Sequence, residues 1–258
     1  MILCLDIGNT QIHGGVFDSG NLKIQFRKNS RQQVSSDEYG IFFKNVLREN
    51  GIDPNEIKEI SFCSVVPDMM YSVSSACIKY FKLEPFVLRS GVKTGLNIKY
   101  KNPAEVGADR IANAIAAVKL YPNKNVVVID FGTATTFDVI SKKKEYLGGA
   151  ILPGIRMSME SLFSATAKLP RVEIQQPVNV VGKTTVESIQ SGLYFGQIGM
   201  VKELIQRIKT EAFQGEEPVV IATGGFSSLF ENAGLFETAI PTLVLQGLQE
   251  VLLINKER

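Results

Sequence analysis

Three short segments carry residue types that handle phosphate. Asp6-Ile7-Gly8-Asn9-Thr10 and Asp130-Phe131-Gly132-Thr133 each place an aspartate two residues before a glycine, and Thr223-Gly224-Gly225 adds a third glycine-rich turn. A turn of Gly, Asn and Thr presents backbone N–H groups and a hydroxyl to one side, which suits an anion. Gly8 lets the backbone approach such a ligand closely. Asp6 would repel a phosphate directly. A divalent cation between them resolves the conflict, as carboxylates hold Mg²⁺ on nucleotide phosphates. Taken alone, Asp6-x-Gly8 reads equally well as a tight turn capped by its aspartate. The second Asp-x-Gly turn and the third glycine-rich loop favour phosphate. Two other nucleotide signatures are excluded. No GxGxxG follows the first strand, and Val181-Gly182-Lys183-Thr184-Thr185 has Pro177 where a Walker A loop needs its first glycine. Thr184 or Thr185 reads instead as a helix start, and Lys183 as an ordinary surface lysine.

These turns need elements to hold them. Alternation predicts strands over 2–5, 11–17 and 22–26, an antiparallel meander with its small and polar residues in the first turn. An apolar run over 60–66 is closed by Pro67, after which 68–80 reads as a helix and 86–88 as a short strand. Asn102-Pro103 precedes a helix whose apolar positions include Val106, Ile111, Ile115 and Val118. Strands over 126–129 and 137–140 flank the Asp130 turn, and a strand over 219–222 leads into Thr223. Lys142-Lys143-Lys144 reads as a solvated hairpin tip. The unit strand–Asp-x-Gly–turn–strand therefore occurs twice, half a chain apart. This predicts a duplicated α/β unit with a cleft between the copies.

Composition fits that picture. Of 258 residues, 45% are hydrophobic and 21% charged, which excludes a disordered chain. The net charge of +2 gives no basic excess for nucleic acid or membrane surfaces. The longest uncharged run, residues 188–201, is too short and glycine-rich to span a bilayer. No basic stretch precedes the apolar N-terminus, so no signal peptide is expected. Cys4, Cys63 and Cys77 are far apart, which suits buried thiols in a reducing compartment. The helix expected over 186–209 carries Gly192, Gly196 and Gly199 near one face. Each costs about 0.8–1 kcal/mol relative to alanine, so close helix packing must compensate, either within the chain or across a dimer.

In order along the chain, Asp6–Thr10, Gly107-Ala108-Asp109-Arg110, Asp130-Phe131-Gly132-Thr133-Ala134-Thr135-Thr136-Phe137-Asp138, the Gly148–Gly154 block and Thr223-Gly224-Gly225 resemble type III pantothenate kinases. The resemblance runs from the first residues to the last helix. It implies an α/β fold of two ribonuclease-H-like halves, 1–120 and 121–258, of the actin/sugar-kinase kind, with an interdomain nucleotide cleft. It implies a cytoplasmic homodimer that uses ATP to phosphorylate pantothenate, the first step of coenzyme A biosynthesis, with no nucleic-acid or membrane partner.

The resemblance also implies site residues. Asp6, Ile7, Gly8, Asn9, Thr10, Gln11, Ile12 and His13 form the first ATP loop, although the family often has Asn where Gln11 stands. Asp130 to Thr136 form the second, with Thr133 on ATP, while Gly224 and Gly225 lie on the adenosine side. Asp130 would hold a monovalent cation, potassium or ammonium, and Asp6 would orient Mg²⁺ directly or through water. Tyr100, Gly107, Ala108, Asp109, Arg110 and Thr185 would contact pantothenate, with Asp109 as general base and Thr185 serving its own or a partner's site. His13 reads from its strand context as a partly buried strand residue. Asp109 stands at an expected helix start, where the dipole favours its carboxylate. Proton transfer to such a group is typically worth about 10²–10⁴-fold in rate. Two alternatives stand beside this reading: a non-catalytic nucleotide-binding regulator on the same fold, and a kinase for another small alcohol. The presence of Asp6, Asp109 and Asp130 argues against the first, and Gly107–Arg110 against the second.

Overall fold

The structure, a computed structural model, describes residues 1–30 and 34–256. Its strands are β1 (Ile2–Ile7), β2 (Gln11–Asp18), β3 (Asn21–Asn29), β4 (Glu59–Ser64), β5 (Phe86–Val87), β6 (Asn97–Ile98), β7 (Val126–Phe131), β8 (Ala134–Ile140), β9 (Glu145–Pro153), β10 (Val219–Thr223) and β11 (Thr238–Ala239). Its helices are α1 (Ser36–Glu49), α2 (Pro67–Ala76), α3 (Ala108–Leu120), α4 (Ile155–Ala165), α5 (Thr185–Phe213) and α6 (Leu243–Lys256). The strands form two sheets, ordered β3-β2-β1-β4-β5 and β11-β10-β7-β8-β9-β6. Counted from β9, the second sheet runs β9-β8-β7-β10-β11, strand for strand the plan of the first, with β6 added at the edge. Directions agree as well: β1 is antiparallel to β2 and parallel to β4, and β7 is antiparallel to β8 and parallel to β10. The duplication expected from the two Asp-x-Gly turns is thus written into the topology.

Two compact units contain these sheets. The first comprises Met1–Leu96, Lys101–Ala116 and the described residues from Leu243 on, and the second comprises Asn97–Tyr100 and Ala117–Thr242. They differ from two contiguous halves meeting at residue 120. Helix α6 packs on β1 and β4, where the Ser61 hydroxyl donates to the Leu248 carbonyl at 2.8 Å. Asn97 and Ile98 pair with Glu145 and Tyr146 of β9, which draws that short segment into the second unit.

In the first unit, Leu3, Leu5 and Ile7 of β1 and Phe62 of β4 pack on Phe43 and Leu47 of α1 and Val73 of α2. A capping box starts α1: the Glu38 amide donates to Ser35 Oγ at 3.2 Å, and the Ser35 amide donates to Glu38 Oε2 at 2.9 Å. Pro67 opens α2, where its missing N–H costs nothing. This helix stops at Ala76, and Cys77–Phe81 form one wider turn instead of the continuous helix expected to residue 80. Nor does a helix start at Pro103. Pro103–Glu105 make a single 3₁₀ turn, Val106 caps it, and α3 begins at Ala108.

In the second unit, Val127, Ile129 and Phe131 of β7 and Phe137 of β8 pack with Ile189, Leu193 and Tyr194 of α5 and with Phe230. Fully burying such a side chain contributes about 1.5–3 kcal/mol, so each Asp-bearing strand is firmly anchored. Lys142 sits at the hairpin tip and pairs with Glu216 at 2.9 Å on the surface, as its charge run suggested. The three cysteines are buried and free. Among the described residues, no helix is long and apolar enough to cross a membrane.

Candidate active site

Strand β1 ends at Ile7, the chain turns over Gly8–Thr10, and β2 returns with His13 opposite Asp6. The Gly8 amide closes the turn on the Gln11 carbonyl at 3.0 Å. Ser30 ties it from outside: its hydroxyl donates to the Gly8 carbonyl at 2.6 Å and its amide to the Thr10 carbonyl at 2.8 Å. Asn9 and Thr10 are exposed, so the tip is open to a ligand. Ile7 and Ile12 bury their side chains in the first core and have only backbone to offer. Gln11 donates to Asn29 Oδ1 at 3.4 Å. His13 is buried, with Nε2 3.2 Å from Gln25 Oε1. Burial, with help from the Arg27 charge, lowers its pKa to about 4, so it is a neutral strand residue.

Asp6 lies opposite Cys63 of β4, and the Cys63 thiol donates to Asp6 Oδ1 at 3.4 Å. Burial lifts the Asp6 pKa to about 7. The Asp109 charge adds to this rise, while the Cys63 bond and Arg27 oppose it. Asp109 stands in the first turn of α3. The Arg110 amide donates to its Oδ1 at 2.8 Å. Burial raises the Asp109 carboxyl as well, against the pull of that amide and the Arg110 guanidinium. A Cβ on Gly107 would lie 2.5 Å from Asp109 Oδ1, so only glycine leaves that oxygen its place. Arg110 is buried beside it. The first unit therefore gathers two carboxylates that feel one another's charge, with Gly107–Arg110 around the second.

The second unit repeats the turn between β7 and β8. The Gly132 amide donates to the Ala134 carbonyl at 3.1 Å, and the Gly154 amide to the Thr133 carbonyl at 3.2 Å. Gly224 follows β10 with φ +87°, and a Cβ there would stand 2.3 Å from Asp130 Oδ1 and 2.5 Å from the Phe131 carbonyl carbon. Both the left-handed backbone and the tight approach demand glycine. The Phe226 amide then donates to the Phe131 carbonyl at 3.1 Å. Asp130, Thr133 and Gly224 are thus drawn together, and Gly225 is exposed beside them. Tyr100 and Thr185 sit on other features of the unit. Tyr100 lies over Tyr146, ring centres 6.5 Å apart, and the Tyr146 hydroxyl donates to buried Asp138 at 2.7 Å. Thr185 begins α5 and lines an apolar cavity of about 660 Å³ with Pro153, Met157, Leu162 and Ile189.

Among the described residues, no three His, Cys, Asp or Glu side chains cluster as a metal site. A cation here would take most of its ligands from phosphate and water. The roles of Ser30 and Cys63 were invisible in the sequence, where each reads as an ordinary loop or strand residue. Only Gly154 carried a signal, inside the Gly148–Gly154 block.

The sequence profile of the type III pantothenate kinase family matches residues 2–207. The chain belongs to the type III pantothenate kinase family. A type III pantothenate kinase of Legionella pneumophila (strain Paris) is 59% identical over 255 residues, covering 99% of each chain. As a member of this family the chain is a kinase, a transferase that phosphorylates pantothenate with ATP. Its two sheets, alike in strand order and direction, make a fold of the actin- and sugar-kinase-like kind. Two solved structures show the fold alone. A conserved Campylobacter jejuni protein described as a Baf family transcriptional activator superposes with TM-score 0.64 at 21% identity, covering 99% of this chain and 100% of that one. The activator of 2-hydroxyisocaproyl-CoA dehydratase from Clostridium difficile, seen with bound ADPNP, gives 0.51 at 11%, covering 100% and 97%.

Proposed function

We propose that the γ-phosphoryl of ATP passes to the primary hydroxyl of pantothenate, with Asp109 as the base that orients this hydroxyl and takes its proton. The observation that carries this reading is the α3 start. Its Arg110 amide fixes Asp109 Oδ1 at 2.8 Å, and burial raises the carboxyl above its ordinary value of 3.8. A carboxylate so raised accepts a proton more readily at neutral pH. Arg110 and the backbone of Gly107 and Ala108 hold the pantothenate carboxylate end, Tyr100 closes over the substrate, and Thr185 adds a hydroxyl from its own or a partner protomer. In the first unit, the Gly8–Thr10 amides bind phosphate oxygens, with Ile7, Gln11, Ile12 and His13 shaping the strands on either side. In the second unit, Thr133 binds the ATP phosphates and Gly224 and Gly225 the adenosine side.

Phosphoryl transfer asks mainly for in-line positioning and charge neutralisation. Asp6 has hard oxygen donors beside a second carboxylate, which fits a divalent cation, and Mg²⁺ supplies there the positive charge that the ATP phosphates need. Asp130, cradled by Gly132 and Gly224, fits a monovalent cation, potassium or ammonium, which supplies charge without a lysine or arginine. A homodimer completes the proposal. Gly192, Gly196 and Gly199 are exposed, and beyond the adjoining turns of α5 a Cβ on any of them would meet no atom of the described residues within 4 Å. Close packing within the chain does not account for these glycines, which leaves a second protomer. Met157 and Leu162 of α4 and Val186 of α5 are exposed as well.

A coupled ADP-release assay with pantothenate, run with and without potassium or ammonium, tests the reading. Turnover that depends on pantothenate and is stimulated by the monovalent ion supports it. ATP consumption indifferent to pantothenate sinks it.

A further inference from the structure

Gln197 is a polar side chain on the inner face of α5, and it is only 2% exposed. Its neighbours on that face, Leu193, Tyr194 and Val201, belong to the second hydrophobic core. Its Nε2 lies 2.9 Å from Thr135 Oγ1, and Thr135 is 1% exposed. A buried amide and hydroxyl are costly unless bonded to one another, and an apolar pair of the same shape would fill the space at no such cost. Thr135 stands two residues past Thr133, pairs with Phe131 on β7 and with Leu152 on β9, and so forms one wall of the turn that carries Asp130 and Thr133. The bond therefore joins a helix to the strand that sets this turn's position. Nothing in the pantothenate chemistry itself requires it.

We propose that Gln197 is a positioning residue for the second phosphate loop: its amide, bonded to the Thr135 hydroxyl, holds the β7–β8 turn in the geometry that receives ATP. This rests on the reading that the Asp130–Thr136 loop binds phosphate. A hydrogen bond fixes both distance and rotation, whereas an apolar contact tolerates sliding. That difference matters when a loop must present amides to a ligand within a few tenths of an ångström.

Gln197→Met keeps the shape and removes the donor, and Thr135→Val removes the same bond from the other side. For each, the measurements are KM for ATP, KM for pantothenate, kcat, MgADP affinity by calorimetry, and Tm. Either variant should raise KM for ATP and weaken MgADP binding about three- to tenfold, as expected for one buried hydrogen bond, with KM for pantothenate unchanged. The double variant should be no worse than the worse single one. An unchanged MgADP affinity with a lowered Tm would show a merely structural bond and overturn the proposal, as would equal rises in both KM values or additive losses. If Gln197→Met gives no soluble protein, Thr135→Val decides alone. Asp130→Asn separates the two levels: unaltered MgADP binding in that variant removes the phosphate-loop reading itself. Weakened binding there, with Gln197→Met and Thr135→Val normal, removes only the role of Gln197.

Discussion

Asp6 and Asp109 are two carboxylates brought into one unit, and both are pushed up by burial. On the proposal that Asp109 is the base and Asp6 orients Mg²⁺, their substitutions should separate. Asp109→Asn should lower kcat about 10²–10⁴-fold, the usual value of a general base, while MgADP affinity measured by calorimetry stays at the wild-type level. The acid limb of the wild-type kcat/KM profile should lie above 3.8, the ordinary carboxylate value, and disappear in the variant. Asp6→Asn should be inactive too, yet more stable without nucleotide. The folded carboxyl titrates near 7 and the unfolded one near 3.8. The folded state thus holds the extra proton between those values, and this group's contribution to stability falls as pH rises from about 4 to 7. Replacing the charge with an amide removes that burden. Tm of Asp6→Asn at pH 8 should exceed wild type by several degrees, and the gain should shrink at pH 5, where Asp6 is already neutral. A lower Tm for the variant at pH 8 would contradict the burial account.

At the scale of elements, the turns were legible and their supports were not. Asp6-x-Gly8 and Asp130-x-Gly132 announce themselves because small and polar residues interrupt apolar strands. Ser30, which ties the first turn down, comes from the end of β3, and its sequence neighbours give no hint of where it lands. Gln197 likewise looks like one more polar position of a long helix until Thr135 is seen against it. Helix α3 starts with Asp109 in its first turn, as expected, but leaves out Val106 for a local reason. Val106 is one more apolar residue ahead of Ile111 and Ile115, but Pro103–Glu105 close a separate 3₁₀ turn, and the helix begins where Gly107 makes room for Asp109. Gly224 offers the sharpest element-level test. Gly224→Ala would force a methyl against Asp130 Oδ1 at φ +87°, a backbone region costing a non-glycine residue about 1–3 kcal/mol. MgADP affinity should fall at least about tenfold, and stimulation by potassium or ammonium should fade with it.

At the scale of the molecule, the repeated sheet order puts one Asp-x-Gly turn in each unit at the same place between antiparallel strands. This is why a short motif, seen twice in the sequence, sufficed to anticipate the architecture. The sequence could not assign α6 to the first unit, because its Leu-rich pattern fits any helix with one apolar face, and its packing on β1 and β4 is what shows where it goes. The exposed glycines of α5 give the molecular prediction. Gly196 is exposed and a Cβ there is unobstructed by other described residues, and Gly196→Arg replaces a poor helix former with a good one. It should leave the protomer folded, with Tm of the isolated chain unchanged or raised. Gel filtration with light scattering should find the wild type a dimer at micromolar concentration and this variant a monomer. A wild-type monomer would refute the dimer.

The place of α6 has a consequence for biosynthesis. Cys4 of β1 and Ser61 of β4 are register partners, and the hydroxyl of Ser61 is capped by a carbonyl of α6. Strands β1 and β4 therefore wait for a helix made after the whole of the second unit. The second unit, Asn97–Tyr100 with Ala117–Thr242, has its own sheet complete by then. On the ribosome, the later-made unit should become protease-resistant while β1 and β4 are still cleavable, so the chain matures in the reverse of the order in which it is read.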